Sequence, residues 1–168
     1  MKKIFILSVF TIFSSILFSQ KIAYVSSEYI LDKIPEYKSA TEQINQLSLK
    51  WNEEIEKIYN EVELMYKDYQ TKQFLMTKEE RIEKEQKILK LEQEAKNLEQ
   101  KRYGNNGDLF TKRNELVQPI QDKILKAINN FSEENRYDII LDKDGDLILL
   151  YTNKRIDVSD EILKKIGY

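Results

Sequence analysis

The chain has 168 residues, with 27 Lys and Arg against 29 Asp and Glu and a formal net charge of −2. It contains no Cys and no His, which excludes disulfides, zinc sites built on those residues and His-based catalytic triads. No basic surplus marks a nucleic-acid binder, and four Gly and two Pro in the whole length predict few turns and long elements.

Lys2 and Lys3 precede an uncharged apolar run from Ile4 to Phe18, and Ser19 is a small residue at a cleavage position. This is the layout of a secretory signal peptide over residues 1–19, and the run is short for a membrane span. With no Cys there is no lipid-modified N-terminus. Cleavage leaves about 149 residues, enough for one ordinary domain. Loss of the two lysines takes the formal charge from −2 to −4. The mature chain is expected to be exported, and periplasmic in a bacterium with two membranes.

KIAYVSSEYIL (Lys21 to Leu31) begins as a strand, because Ile22, Tyr24 and Ser26 alternate with Ala23, Val25 and Ser27. YILDKIPEY then reads as a short helix or turn that Pro35 ends or redirects. From about Glu36 the pattern turns helical. Ile44, Leu47, Trp51, Ile55, Ile58, Val62, Met65 and Tyr69 recur at spacings of 3, 4, 4, 3, 4, 3 and 4. That is a coiled-coil seam with one four-residue insertion near Trp51. A stripe this narrow covers one partner helix and leaves the rest wet.

Thr77 with Glu80 three residues on forms a capping box that restarts the helix after FLM. The second helix carries Ile82 and Leu89, then Ile88, Leu91, Ala95 and Leu98. Two seams joined by a few residues predict an antiparallel hairpin. The first helix, of roughly 36 residues, would be about 54 Å long. That far exceeds the radius of gyration of about 15 Å expected of a compact chain this size, so an arm is expected.

YGNNGD (Tyr103 to Asp108) ends or kinks the return helix, with Asp108 as a new N-cap. The helix resumes, with Pro119 expected at a first turn or a kink. Ile120, Ile124, Ile128 and Phe131 form its apolar face. Tyr137 to Asp142 and Asp146 to Thr152 read as two strands of a β-hairpin, with Gly145 at positive φ in the turn. DVSDEILKKIG closes as a short helix, capped by Ser159 or Asp157 and buried through Ile162, Leu163 and Ile166.

The predicted fold is α+β, mainly α: a small three-stranded sheet body with a long antiparallel coiled-coil helical hairpin arm. The body comprises residues 20–35 and 131–168, and the arm with its return helices residues 36–130. A body of roughly 60 residues is a small core, for which oligomerisation is a usual remedy. Its core and subunit contacts are expected at Ile22, Tyr24, Ile139, Leu141, Leu147 and Leu149.

No residue pattern supports catalysis, metal binding or a cofactor. DKDGD (Asp142 to Asp146) opens like an EF-hand loop, but Leu147 stands where that loop needs Gly and Asn153 where it needs Glu. Glu53, Glu54 and Glu56 read as a solvated face. The aromatics say more. Trp51 and Tyr69 fall on the seam, whereas Tyr59, Tyr66, Phe74, Leu75 and Met76 fall off it or past its end. Such residues offer weak, adaptable contacts to an unfolded chain.

The opening KIAYV, the long charged helical pair and the close NRYDIILDKDGDLILLYTNKRIDVSDEILKKI together resemble the Skp/OmpH family of periplasmic chaperones. The likeness spans the mature chain and is most specific at its two ends. It implies a jellyfish-like homotrimer whose arms surround a cavity and hold unfolded outer-membrane β-barrel proteins without ATP. Peripheral contact with the membrane is compatible with it. The best-known members are strongly basic, and this mature chain is mildly acidic. Capture here is therefore expected to rest on apolar contacts. The alternative is a structural coiled-coil envelope protein that tethers partners without chaperone activity.

Overall fold

The computed structural model describes residues 20–168; the signal-peptide reading of residues 1–19 lies outside them. The elements in chain order are β1 (Ile22–Val25), α1 (Ser27–Lys33), α2 (Pro35–Lys72), α3 (Lys78–Tyr103), α4 (Asp108–Asn135), β2 (Ile139–Asp142) and α5 (Ser159–Ile166). They form two compact units. One is Ile34–Lys123; the other joins the residues up to Lys33 with Ile124–Tyr168. Among the described residues no helix is long and apolar enough to cross a membrane.

The first unit is built on the hairpin of α2 and α3. Pro35 opens α2, where its missing N–H would have had no helical partner and its fixed φ suits the first turn. The helix then runs for 38 residues, about 57 Å at 1.5 Å per residue. Ile44, Trp51, Ile55 and Val62 are buried along it, with Leu47, Ile58, Met65 and Tyr69 half-buried, so the seam spacing describes the packed face. A 3₁₀ turn, Gln73–Leu75, ends it. Thr77 then caps α3: its hydroxyl accepts the Glu80 N–H at 3.2 Å, and the Glu80 carboxylate accepts the Thr77 N–H at 2.7 Å.

On α3 the seam differs from the expected one. Ile88 and Ala95 are buried and Leu91 and Leu98 half-buried, but Ile82 and Leu89 are exposed. At 100° per residue those two lie about 150° around the helix from the mean direction of the seam. Lys84 stands on the seam instead and reaches Asp68 on α2 at 3.1 Å.

Between α3 and α4 the chain turns through Gly104 to Gly107. The Gly107 N–H donates to the Gly104 carbonyl at 2.8 Å, and Asn106 has φ 60°, a left-handed conformation that Asn tolerates. A Cβ on Gly104 would stand 2.3 Å from the Gln100 carbonyl oxygen, so no other residue fits there unless the backbone moves. Helix α4 begins at Asp108 itself, and Pro119 lies inside it rather than in its first turn.

The second unit corrects the expected sheet. Among the described residues it has two strands, β1 and β2, paired in parallel with Ile22 opposite Ile139, Ala23 opposite Ile140, Tyr24 opposite Leu141 and Val25 opposite Asp142. Residues 146–152 form no strand and no hairpin, and Gly145 is not at positive φ.

The reason lies in the residues just after β2. The Lys143 N–H donates to the Val25 carbonyl, and the aspartates of DKDGD turn back onto α1. Asp142 accepts the Ser27 N–H at 3.1 Å, and Asp144 accepts the Glu28 N–H at 3.1 Å and the Ser26 hydroxyl at 2.5 Å. The expected hairpin turn is therefore the cap of a helix. The second edge of β1 is occupied as well, because Tyr24 bridges Asp157 and its carbonyl accepts the Val158 N–H.

The core of this unit centres on Ala23, Tyr24, Val25, Ile30, Val158, Ile162 and Leu163. Ser26 and Ser159 are buried beside it and bonded to one another, the Ser26 N–H donating to the Ser159 hydroxyl at 2.8 Å. Helix α5 starts at Ser159, and its N-cap is Val158, which makes no side-chain capping bond. Neither expected residue takes that position, and Asp157 instead accepts from both the N–H and the hydroxyl of Ser159 just inside the helix.

Candidate functional site

The hairpin places its apolar side chains in two sets. The seam set is covered. The other set faces solvent on a surface made mostly of Lys and Glu. Phe74 and Leu75, in the turn, are each 88% exposed. The reason is geometric: a turn joining two helix ends has no third element over it, and the capping box holds it in shape rather than letting it collapse onto the seam. Met76 is half-buried, beside Glu80, Glu83, Lys84 and Lys87.

Tyr59 and Tyr66 stand seven residues apart on α2, which sets them on one flank of the helix. Tyr66 is 50% exposed. Tyr59 is more constrained: its hydroxyl donates to Glu99 on α3 at 3.2 Å, and desolvation followed by that bond raises its pKa. Of the five residues the sequence pointed to, Phe74, Leu75 and Tyr66 are the open ones, whereas Tyr59 also ties the hairpin together. Tyr69 does the same through its bond to Glu85.

Sequence reasoning passed over Leu49 and Leu64 on α2, and it assigned Ile82 and Leu89 to the seam. All four are exposed. A helical wheel drawn around the seam residues would have found them, since each falls on the outer side.

A second group was also missed. Near the end of α3, Arg102 lies over the Trp51 ring at 4.9 Å, bonds Asp108 at 2.6 Å and reaches Glu54 at 3.2 Å. The bond to Asp108 is the main cause that raises its pKa, so the guanidinium stays charged. Tyr103 meets Trp51 edge-on, with ring centroids 6.4 Å apart, and donates its hydroxyl to the Ser48 carbonyl at 2.8 Å. Glu54 is thus one arm of an ion-pair cluster, not part of a purely solvated face. This cluster joins α2, the end of α3 and the start of α4, and it fixes the surface on which the exposed residues sit.

The residues expected in the body core are distributed unevenly. Tyr24 is buried and Leu141 and Leu149 half-buried, while Ile22, Ile139 and Leu147 are exposed in the single chain. The neighbouring run is more open still, with Ile148, Leu150 and Tyr151 at 84%, 95% and 83%. Among the described residues no group of three or more His, Cys, Asp or Glu is placed to hold a metal ion.

The chain combines a charged helical hairpin carrying open apolar residues with a small parallel sheet. The comparisons name the family. The model of the family described as outer membrane protein (OmpH-like) matches residues 21–166, and the chain belongs to that family. A crystal structure of an OmpH-like protein from Caulobacter crescentus CB15, described as an outer membrane chaperone, superposes with a TM-score of 0.66 at 10% identity. The match covers 88% of this chain and 84% of that one, and at this identity it speaks for the fold. No curated protein matches. Family membership supports a chaperone role in the broad sense.

Proposed function

We propose that this chain is an ATP-independent periplasmic holdase. As a homotrimer it holds unfolded outer-membrane β-barrel proteins in a cavity between its helical arms and keeps them from aggregating. The observation that carries this reading is the pair Phe74 and Leu75, large apolar side chains left almost wholly in solvent at a turn that a capping box holds in place. A chain that exposes such residues on a charged hairpin offers adhesive points without a fixed pocket. Unfolded β-barrel segments expose strand edges and apolar faces that otherwise pair with one another, and many weak contacts that compete with this pairing suffice to keep them apart.

The trimer is supported by what the sheet unit leaves undone. A two-stranded sheet is marginal alone. Among the described residues the outer edge of β2 has no strand partner, and the apolar run from Leu147 to Tyr151 is largely uncovered. The proposed interface therefore includes Ile139, Leu147 and the residues after it.

The test is aggregation of an unfolded outer-membrane β-barrel protein, followed by light scattering with stoichiometric amounts of this protein. Suppression is expected, without ATP and in roughly 0.5 M salt, because salt screens exposed charges over about 8–10 Å and leaves apolar burial largely intact. The variant with Tyr59, Tyr66, Phe74 and Met76 all changed to Ser should release clients faster, each residue contributing at most about 1–2 kcal/mol. A variant that retains clients like the wild type, while salt alone releases them, would make the capture electrostatic. Lys67, Lys72 and Lys78 would then be the residues to change.

A further inference from the structure

Beside the turn between α3 and α4, a cleft of about 480 Å³ opens on the surface of the hairpin unit, within the size range of sites that take small ligands or side chains. Its walls include Tyr103, Leu109 and Phe110, with Asn105 and Asn106 at the turn and Arg113 one turn further along α4. Phe110 is half exposed, so the apolar wall is available rather than packed away.

The charge of this cleft is one-sided. It is lined by one cation and by no carboxylate. The acids close to Arg113 in sequence are already engaged: Asp108 is bonded to Arg102 at 2.6 Å and Glu115 to Lys112 at 2.5 Å. Among the described residues the Arg113 side chain has neither ion pair nor hydrogen bond. Other cations of the unit are engaged: Lys67, Lys72, Lys84 and Arg102 each meet an acid.

A guanidinium presents a planar fork that matches a carboxylate in two parallel bonds. Placed beside an aromatic wall, it selects a carboxylate attached to an apolar body. In a polypeptide that combination occurs at the carboxyl-terminal end of a chain whose last residue is apolar. A side-chain carboxylate differs, because it is flanked by polar backbone on both sides.

We infer that this cleft is a site for the carboxyl terminus of a bound polypeptide ending in a large apolar residue. Arg113 takes the carboxylate, and Tyr103, Leu109 and Phe110 receive the terminal side chain. The inference rests on the holdase reading for its source of ligand, since an unfolded client presents a free end. One ordered contact of this kind would add a preferred point of attachment to the otherwise diffuse contacts at Phe74 and Leu75.

The experiment uses the full mature protein and a short dye-labelled peptide ending in Phe, made once as the free acid and once as the amide. Fluorescence anisotropy should show the acid binding about five- to tenfold more tightly, the range of one charge-assisted contact in a half-open site. Arg113→Gln should abolish that preference and leave amide binding unchanged. Phe110→Ser should weaken acid and amide alike. Lys90→Gln, an exposed cation elsewhere on the hairpin, should change neither. All three positions are exposed, and circular dichroism checks that each variant is folded.

Equal binding of acid and amide to the wild type, or a preference that survives Arg113→Gln, overturns the inference. So does displacement of the peptide by phenylacetate at matching concentration, which would make the cleft a site for small aromatic acids. The aggregation assay keeps the two readings apart. A protein that suppresses aggregation without preferring the acid loses only this site. A protein that prefers the acid without suppressing aggregation loses only the holdase reading.

Discussion

The hairpin of α2 and α3 and the sheet around β1 bury their apolar residues in opposite ways. The hairpin is complete within one chain. Its seam partners lie on two consecutive helices, and cross-links such as Lys84–Asp68, Arg102–Glu54 and Tyr103–Ser48 join them along the length. What it exposes, it exposes at the turn and on its outer sides. The sheet unit draws its strands from residues more than a hundred positions apart. Even so, among the described residues it leaves one edge of β2 unpaired and four of the five large apolar residues from Leu147 to Tyr151 exposed. Apolar residues beyond the reach of any packing partner in a hairpin suit transient contacts. Apolar residues beside an open strand edge suit a permanent one, because backbone pairing and side-chain burial can there be gained together.

The sharpest way to break this comparison is Leu150→Asp. Leu150 is 95% exposed, so a carboxylate there should cost the isolated chain almost nothing, as at other surface positions. In an assembly that covers the run, an unpaired buried charge costs about 3–5 kcal/mol in each copy. The expected outcome is a wild-type trimer and a folded Leu150→Asp monomer in sedimentation equilibrium at micromolar concentration, with unchanged helical signal. A variant that stays assembled at wild-type strength would put the interface elsewhere.

Trp51→Ala tests the other half. Trp51 is buried on the seam, under Arg102 and against Tyr103. Large-to-small changes at such sites cost about 3–5 kcal/mol. Among the described residues Arg102 Nε already lacks a hydrogen-bond partner, and it would lose the ring face that covers it. Hydrogen exchange should show reduced protection in α2 and α3 while β1 and Ile162 in α5 keep theirs. Equal loss of protection in both units would mean that they unfold together, and the contrast between them would then not extend to stability.

The hairpin was legible in the sequence because its determinants are local. Seam spacing and the Thr77–Glu80 box each lie within a few residues, and both appear in the structure. Ile82 and Leu89 misled because two apolar residues seven apart can mark either face of a charged helix. The Arg102 cluster was invisible because Glu54 and Arg102 are 48 positions apart, and nothing in either neighbourhood announces the other. The segment 146–152 has the composition of a strand, and composition says that a surface must be covered without saying by what. In the single chain the Asp residues before it are used to cap α1 and both edges of β1 are taken, so no place in the sheet remains for it beside β1.

The smallest effect expected concerns the turn that presents Phe74 and Leu75. Thr77→Ala removes one side of the capping box and should cost about 1 kcal/mol. The Glu80 side adds a dependence on pH. The backbone N–H of Thr77 first, and its hydroxyl second, hold the Glu80 carboxyl below the usual carboxylate range. A carboxyl whose pKa is lower folded than unfolded contributes stability that is fully present above the unfolded value of about 4.3. That contribution is lost as pH falls from there through the lower folded value. Glu80→Gln can still accept the Thr77 N–H but cannot titrate, so its stability loss relative to wild type should shrink below pH 4. Thermal melts of wild type and Glu80→Gln at pH 7 and pH 3 make the comparison. A difference between the two proteins that is the same at both pH values would show that the Glu80 carboxylate does not hold the turn. The exposure of Phe74 and Leu75 would then rest on helix packing alone.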